Sequence, residues 1–284
     1  MPELPEVETV RRGLNRVTLN QPMWNGAVLL DRTIAYPGST PEFLAGIAGK
    51  SIAQWQRRGK YLLADLADGT ANPAGCLGVH LRMTGQLLWM AEDEPLQKHA
   101  RVRLFFPEGR ELRFVDQRTF GQMWYVPPDR PPESIITGLR ALGVEPLSAE
   151  FTADYLAERL QNRKRPIKNA LLDQAIVAGI GNIYADESLF LSQIRPETLA
   201  SDLKPDQIQR LHQSIIKVLQ DSIGAGGTTF SDFRDIQGIN GNYGGIAWVY
   251  DRKGEPCRTC ETPIERIKLA GRSAHYCPSC QPSA

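Results

Sequence analysis

Four cysteines near the end of the chain, spaced Cys257-x2-Cys260-x16-Cys277-x2-Cys280, constrain it more tightly than any other feature. Each CxxC turn presents two thiolates to one tetrahedral ion, so two turns complete a zinc shell with no open position. The expected metal is therefore a single structural zinc. Disulfides are the competing use of paired cysteines, but the opening residues MPELPEVETV hold three glutamates and no apolar core, so no secretory signal is predicted. Cys76 stands apart from the four and reads as an ordinary thiol. Residues 263–276, between the pairs, read as a β-hairpin with Ala270-Gly271 at its tip and Arg272 carried outward. That arginine has two readings at this point: a solvated side chain on a stabilising ribbon, or one inserted at a nucleic acid.

Upstream the pattern changes twice. Residues 5–19 read as a helix, because Pro5 suits a first turn and Val7, Val10, Leu14 and Val17 recur at helical spacing. Glu6 and Glu8 lie near the positive end of its dipole. From about 22 to 126 come short apolar or alternating runs at 27–30, 60–64, 77–80, 86–89, 102–106, 111–115 and 122–126. Asp-Gly, Glu-Gly and proline punctuate them, which is the pattern of an antiparallel sandwich. The proline-rich PPDRPPES, 127–134, reads as a semi-rigid linker. Residues 151–223 read as helical, in segments near 152–162, 166–176, 182–192 and 205–223, with Gly179-Ile180-Gly181-Asn182 breaking the series. From 224 to 245 the chain is rich in Gly, Ser, Thr and Asn and reads as a mobile loop.

The predicted class is thus α+β and multidomain: an N-terminal antiparallel β-sandwich with flanking helices (1–126), a linker (127–150), a helical domain (151–225), a loop (226–247) and a C-terminal zinc-ribbon β-hairpin (248–284). No run of about 18 apolar residues occurs, so no membrane partner is expected and the cytoplasm is the default compartment. Lys and Arg number 33 against 32 Asp and Glu, a net charge of +1, so bulk electrostatics does not announce a nucleic-acid binder. Any such contact must come from local clusters: Arg163, Lys164, Arg165 and Lys168, then Arg266, Lys268 and Arg272.

Further motifs run in order along the chain: MPELPEVE at the start, Gly59-Lys60-Tyr61, HLRMTG at 80–85, Lys98-His99, DQRTFG at 116–121 and GIGNIYADE at 179–187. With the cysteine module, this ordered set resembles the formamidopyrimidine-DNA glycosylase family over nearly the whole chain. The resemblance implies a bifunctional glycosylase and abasic-site lyase that excises oxidised purines, 8-oxoguanine and formamidopyrimidines, from duplex DNA in base excision repair. It implies that the helical domain is a helix–two-turns–helix module and that residues 226–247 are a lesion-capture loop, with Thr228 and Thr229 closing over an everted base. Damaged double-stranded DNA is the expected partner, the protein a monomer, and its place the cytoplasm, associated with the nucleoid.

The residues carry this chemistry on their own terms as well. A small second residue favours loss of Met1, which frees the secondary amine of Pro2. An α-amine titrates near 8, so a neutral fraction exists at neutral pH. A secondary amine bonded to a sugar C1′ forms a charged iminium, an electron sink that acidifies the C2′ proton and sets up β- and then δ-elimination. By resemblance, Glu3 protonates the opening sugar ring, Glu6 orients or desolvates the same site, Lys60 donates a proton and contacts phosphate, and Arg272 is the proton donor for δ-elimination. Each has a plainer reading, as a helix-terminal acid (Glu3, Glu6) or a surface cation (Lys60, Arg272).

A base inside a duplex must leave the stack before its sugar can be attacked, and something must fill the gap. By resemblance Met83, Arg118 and Phe120 fill it, with Phe120 as wedge and Arg118 on the orphaned cytosine. On apolar character alone, Met83 and Phe120 would be core residues. Asn182 is expected to cap the helix that follows the GIG turn, where free N–H groups favour phosphate. Lys164, Lys168 and His99 are expected to add DNA contacts. Two other classes compete. An endonuclease VIII-type pyrimidine glycosylase would be separated by lesion preference, and a non-catalytic DNA-binding zinc-ribbon protein leaves PELPEVE unexplained.

Overall fold

The computed structural model describes residues 1–228 and 234–283. The chain forms two compact units, 1–140 with 225–242 and 141–224 with 243–284.

The first unit opens with α1 (Leu4–Val17), whose Val7, Val10 and Leu14 are fully buried on one stripe. Such side chains contribute roughly 1.5–3 kcal/mol each. It continues through β1 (Asn25–Val28), β2 (Ile34–Tyr36), α2 (Thr40–Ile47), β3 (Ser51–Arg58), β4 (Tyr61–Ala67), β5 (Pro73–His80), β6 (Gly85–Ala91), β7 (Ala100–Phe106), β8 (Arg110–Asp116), β9 (Gln122–Val126) and α3 (Pro132–Ile135). The strands form a five-stranded sheet, β2-β9-β5-β4-β3, and a four-stranded sheet, β1-β7-β8-β6. Every pairing is antiparallel except that of β2 with β9. One core joins the two sheets and α1: Leu62, Leu77 and Val79 from the first sheet meet Leu87, Val102, Leu104 and Phe114 from the second. The chain passes from the five-stranded sheet to the four-stranded one through 81–84 and returns through 117–121. Those two crossings carry the HLRMTG and DQRTFG motifs.

All seven predicted strand runs match strands of the sandwich, but β2, α2 and β3 were not expected. β3 reads SIAQWQRR, in which Ile52 and Trp55 are the only fully buried side chains, and a bulge between Ile52 and Gln54 breaks the alternation. The expected linker needs a correction. Residues 127–140 belong to the first unit, where α3 starts on Pro132 and Ile136 and Leu139 are buried. Proline at the first turn starts this helix rather than rigidifying a spacer. The described parts of the expected mobile loop are also anchored: Thr228 and Ile236 are buried, and the Ile236 carbonyl accepts the Trp89 N–H at 2.8 Å.

The second unit holds α4 (Ala153–Leu160), α5 (Ile167–Leu171), α6 (Asn182–Leu191), α7 (Pro205–Gly224) and the hairpin β10 (Glu265–Leu269) with β11 (Arg272–Tyr276). The helix expected over 166–176 stops at Leu171, and Asp173 instead accepts the Ala175 N–H in the following turn. α6 is buried all round from Tyr184 to Phe190, including Asp186 and Glu187. Two buried carboxylates demand partners. Glu187 accepts the N–H groups of Trp248, Val249 and Tyr250 at 2.8–2.9 Å. Asp186 pairs with Lys168 at 2.6 Å and accepts both the N–H and Nδ1 of His275 at 3.0 Å. α6 is therefore the beam on which the cysteine module hangs. Among the described residues, no helix is long and apolar enough to cross a membrane.

Candidate active site and zinc centre

Glu3 is the N-cap of α1 and forms a reciprocal capping box: its side chain accepts the Glu6 N–H, and Glu6 Oε2 accepts the Glu3 N–H at 2.7 Å. The helix-terminal reading of both acids is thus realised in the fold. Glu6 Oε1 also accepts the Thr228 N–H at 2.8 Å, so one buried carboxylate ties the start of the chain to the loop after α7. Gly227 makes that approach possible: its φ is +83°, and a Cβ would lie 3.1 Å from Glu6 Oε1. Thr229 lies outside the described residues. Pro2 is buried, and Met1 precedes it, so its nitrogen is an amide here.

Lys60 sits in the two-residue turn joining β3 and β4, after Gly59 at φ +56°. A lysine in such a turn ordinarily reaches into water, yet Lys60 is only 7% exposed. The surface-cation reading therefore fails for it. His80, at the end of β5, was given no role in the sequence and is equally buried. Burial, with the Arg82 and Lys60 charges beside it, pulls its pKa down to about 3, so its imidazole is neutral. Its Nδ1 accepts the Arg82 N–H at 3.0 Å.

The two crossings between the sheets carry Met83 and the Arg118–Phe120 pair. Phe120 is 53% exposed, Arg118 is exposed with its guanidinium 5.0 Å from the Phe120 ring, and Met83 is half-buried. The core reading is thus corrected for Phe120. Each crossing holds one non-glycine residue in the left-handed region, Arg82 at φ +54° and Thr119 at φ +57°. Together with Arg32, these turns line an open cavity of about 520 Å³. His99 is partly exposed, with Nδ1 3.2 Å from Arg101 Nη2.

In the second unit the expected basic cluster separates. Arg163 and Lys164 are exposed, whereas Arg165 pairs with Asp173 at 2.6 Å. Lys168 needs a correction. Its side chain is fully buried against Asp186 and donates to the Ser273 carbonyl, so its charge is spent inside the unit rather than offered to phosphate. Asn182 is not the N-cap; Gly181 is, and Asn182 is the first helical residue. Its Nδ2 donates to Ser273 Oγ at 3.3 Å. The expected hairpin tip is observed, with Ala270 and Gly271 at φ +45° and +82° and Arg272 exposed beyond them.

The four cysteine sulfurs lie within 4.8 Å of one another, and all four thiols are free. Cys257 and Cys280 are 3.9 Å apart; Cys260 lies 3.4 Å from both Cys277 and Cys280. Zinc–thiolate bonds of about 2.3 Å place tetrahedral sulfurs about 3.8 Å apart, so the cage fits one structural zinc. Disulfides need a separation near 2 Å and do not fit. Cys257 and Cys277 also pack with Phe190 of α6, Val249 and Ile264.

A sandwich with exposed Arg118 and Phe120, a helical turn module and a hairpin with a four-cysteine cage define a DNA-repair class of architecture, and comparisons with known proteins agree. Residues 1–123 match the formamidopyrimidine-DNA glycosylase N-terminal domain, 142–234 the H2TH domain of the same enzymes, and 254–282 the zinc finger found in FPG and IleRS. A formamidopyrimidine-DNA glycosylase of Acaryochloris marina is 64% identical over 284 residues, the full length of both chains. One from a Nostoc species is 63% identical, covering 99% of this chain and 100% of its own. Among solved structures, Lactococcus lactis Fpg in complex with DNA containing an abasic site has a TM-score of 0.89 at 34% identity, covering 99% of this chain and 100% of that one. The MutM (FPG) protein of Thermus thermophilus has a TM-score of 0.87 at 37% identity, with both chains fully covered. This chain belongs to the formamidopyrimidine-DNA glycosylase family.

Proposed function

We propose that this protein is a bifunctional DNA glycosylase and abasic-site lyase that removes 8-oxoguanine and formamidopyrimidines from duplex DNA in base excision repair. The observation that carries the reading is the buried capping box at Glu3 and Glu6 directly after Pro2, in the same unit as an exposed Phe120. Such a wedge has no use in a core and suits an opened base stack.

In this reading, loss of Met1 frees the Pro2 amine, which attacks C1′ as the C1′–base bond breaks. Glu3 protonates O4′ as the sugar ring opens, leaving an iminium. Loss of a C2′ proton expels the 3′ phosphate, and a second elimination expels the 5′ phosphate, with Arg272 as its proton donor. Water then hydrolyses the iminium and restores the free amine. Lys60, removed from water, serves as proton donor and phosphate contact, and Glu6 orients the site. Met83, Arg118 and Phe120 fill the vacated stack, while His99, Lys164 and Asn182 add DNA contacts. Bound zinc holds the hairpin and takes no part in these steps. The protein acts as a monomer in the cytoplasm, at the nucleoid.

Borohydride reduction in the presence of abasic-site DNA tests the reading, followed by intact-mass measurement and peptide mapping. The expected adduct lies on Pro2 of protein lacking Met1. An adduct mapped to an interior lysine, or no adduct at all, would sink it. Faster release of 8-oxoguanine opposite cytosine than of thymine glycol is expected; the reverse would favour the pyrimidine enzyme.

A further inference from the structure

Two turns that carry the wedge residues come from different crossings of the sandwich, and nothing in their sequences joins them. The fold joins them through one carboxylate. Asp116 closes β8 opposite Gly85, the first residue of β6, and is 1% exposed. Its Oδ1 accepts the Thr84 hydroxyl, and its Oδ2 accepts the Gly121 N–H at 2.7 Å. Thr84 Oγ1 in turn accepts the Arg118 N–H at 3.0 Å. The backbone of Asp116 reaches a third position, beside His99: its N–H donates to the His99 carbonyl at 2.9 Å, and its carbonyl accepts Arg101 Nε at 2.8 Å. Gly121 must be glycine for this, since a Cβ would lie 2.4 Å from the Phe114 ring.

We infer that Asp116 and Thr84 are positioning residues that fix the Met83 turn and the Arg118–Phe120 turn as a single wedge. The inference rests on the proposed reading of those turns as the void-filling elements. Opening a base stack costs free energy, and a wedge recovers it only if its own geometry is set beforehand. The left-handed backbone at Arg82 and Thr119 has to be held by its surroundings, and the buried carboxylate supplies that hold. Each Asp116 oxygen receives a donor from a different turn, so movement of either turn alone breaks a hydrogen bond to the buried carboxylate. Neither residue touches the sugar chemistry. Their effect is confined to substrates in which a partner base is orphaned.

The test compares cross-linking rates on abasic-site DNA in duplex and in single-stranded form, since a single strand has no stack to open. Thr84→Val keeps the side-chain volume and removes the shared oxygen. Its duplex rate is expected to fall about tenfold while the single-strand rate stays within about twofold, the loss matching two hydrogen bonds. Thr84→Ser restores the hydroxyl and the wild-type ratio. Asp116→Asn, checked for native near-UV circular dichroism, is expected to lower the same ratio. 2-Aminopurine beside the abasic site should brighten less with Thr84→Val than with wild type, because the wedge unstacks it less. An unchanged duplex-to-single-strand ratio in a cross-linking Thr84→Val protein overturns the inference, as does an equal loss on both substrates. A wild-type protein that cross-links neither substrate overturns the underlying reading and this inference with it.

Discussion

Asp186→Ala is expected to be the most damaging single change in the second unit outside its cysteines. Asp186 and Lys168 are both fully buried and 2.6 Å apart, and Asp186 also receives two hydrogen bonds from His275. Removing the carboxylate leaves an ammonium in the interior with its counter-charge gone. Breaking a buried pair from one side costs about 3–5 kcal/mol. For a unit of this size each kcal/mol lowers the melting temperature by roughly 3–5 °C, so the loss is roughly 10–25 °C. The assay is thermal unfolding followed by circular dichroism, with saturating zinc in every sample so that metal linkage is constant. Lys168→Met combined with Asp186→Asn removes both charges and keeps an acceptor for His275, so it should recover most of the loss. An Asp186→Ala protein melting within about 3 °C of wild type would refute the argument. So would a double variant no more stable than the single one, because the cost would then lie in packing rather than in an orphaned charge.

Zinc removal by chelation, or Cys277→Ser, should abolish the near-UV circular dichroism of Trp248, whose ring stacks on Phe190 at 5.6 Å within the cluster that holds Cys257 and Cys277. Gly227→Ala strains a left-handed backbone and crowds Glu6, so it should cost at least about 1 kcal/mol and lower hydrogen-exchange protection of the Thr228 amide. Burial raises the Glu8 carboxyl, but hydrogen bonds from Arg11 and Arg12 outweigh it and bring the pKa from 4.5 to about 2. A folded-state value below the unfolded one adds stability above pH 4.5 that is lost as pH falls through about 2. The urea midpoint of wild type should therefore exceed that of Glu8→Gln at neutral pH, and the gap should close over that acid range.

Periodicity and spacing made the frame legible. Val7, Val10 and Leu14 mark the buried stripe of α1, and the alternating runs mark most of the sandwich. The hairpin tip at Ala270-Gly271 follows from turn chemistry, and the zinc cage from the CxxC spacing. These features are local: neighbours in the sequence decide them. What stayed hidden is polar, buried and distant in the chain. Lys168 reads as one more member of a basic cluster because its partner, Asp186, lies on another helix. Asp116 stands in the sequence only as the first residue of DQRTFG, with no role assigned to it, while its bond to Thr84 exists only because two separate crossings of the sandwich meet. Asn182 looked like a cap because the residue type favours caps, but Gly181 takes the extended conformation that the cap position needs. A hydrophobic pattern must repeat along a chain to build a face, and repetition is what a reader of sequence detects. A single buried carboxylate needs its donors only once, from wherever the fold delivers them. Phe120 and Arg118 stand in a recognisable motif, but the outward direction of Phe120 follows from strained turns and a shared acceptor that only the folded chain assembles.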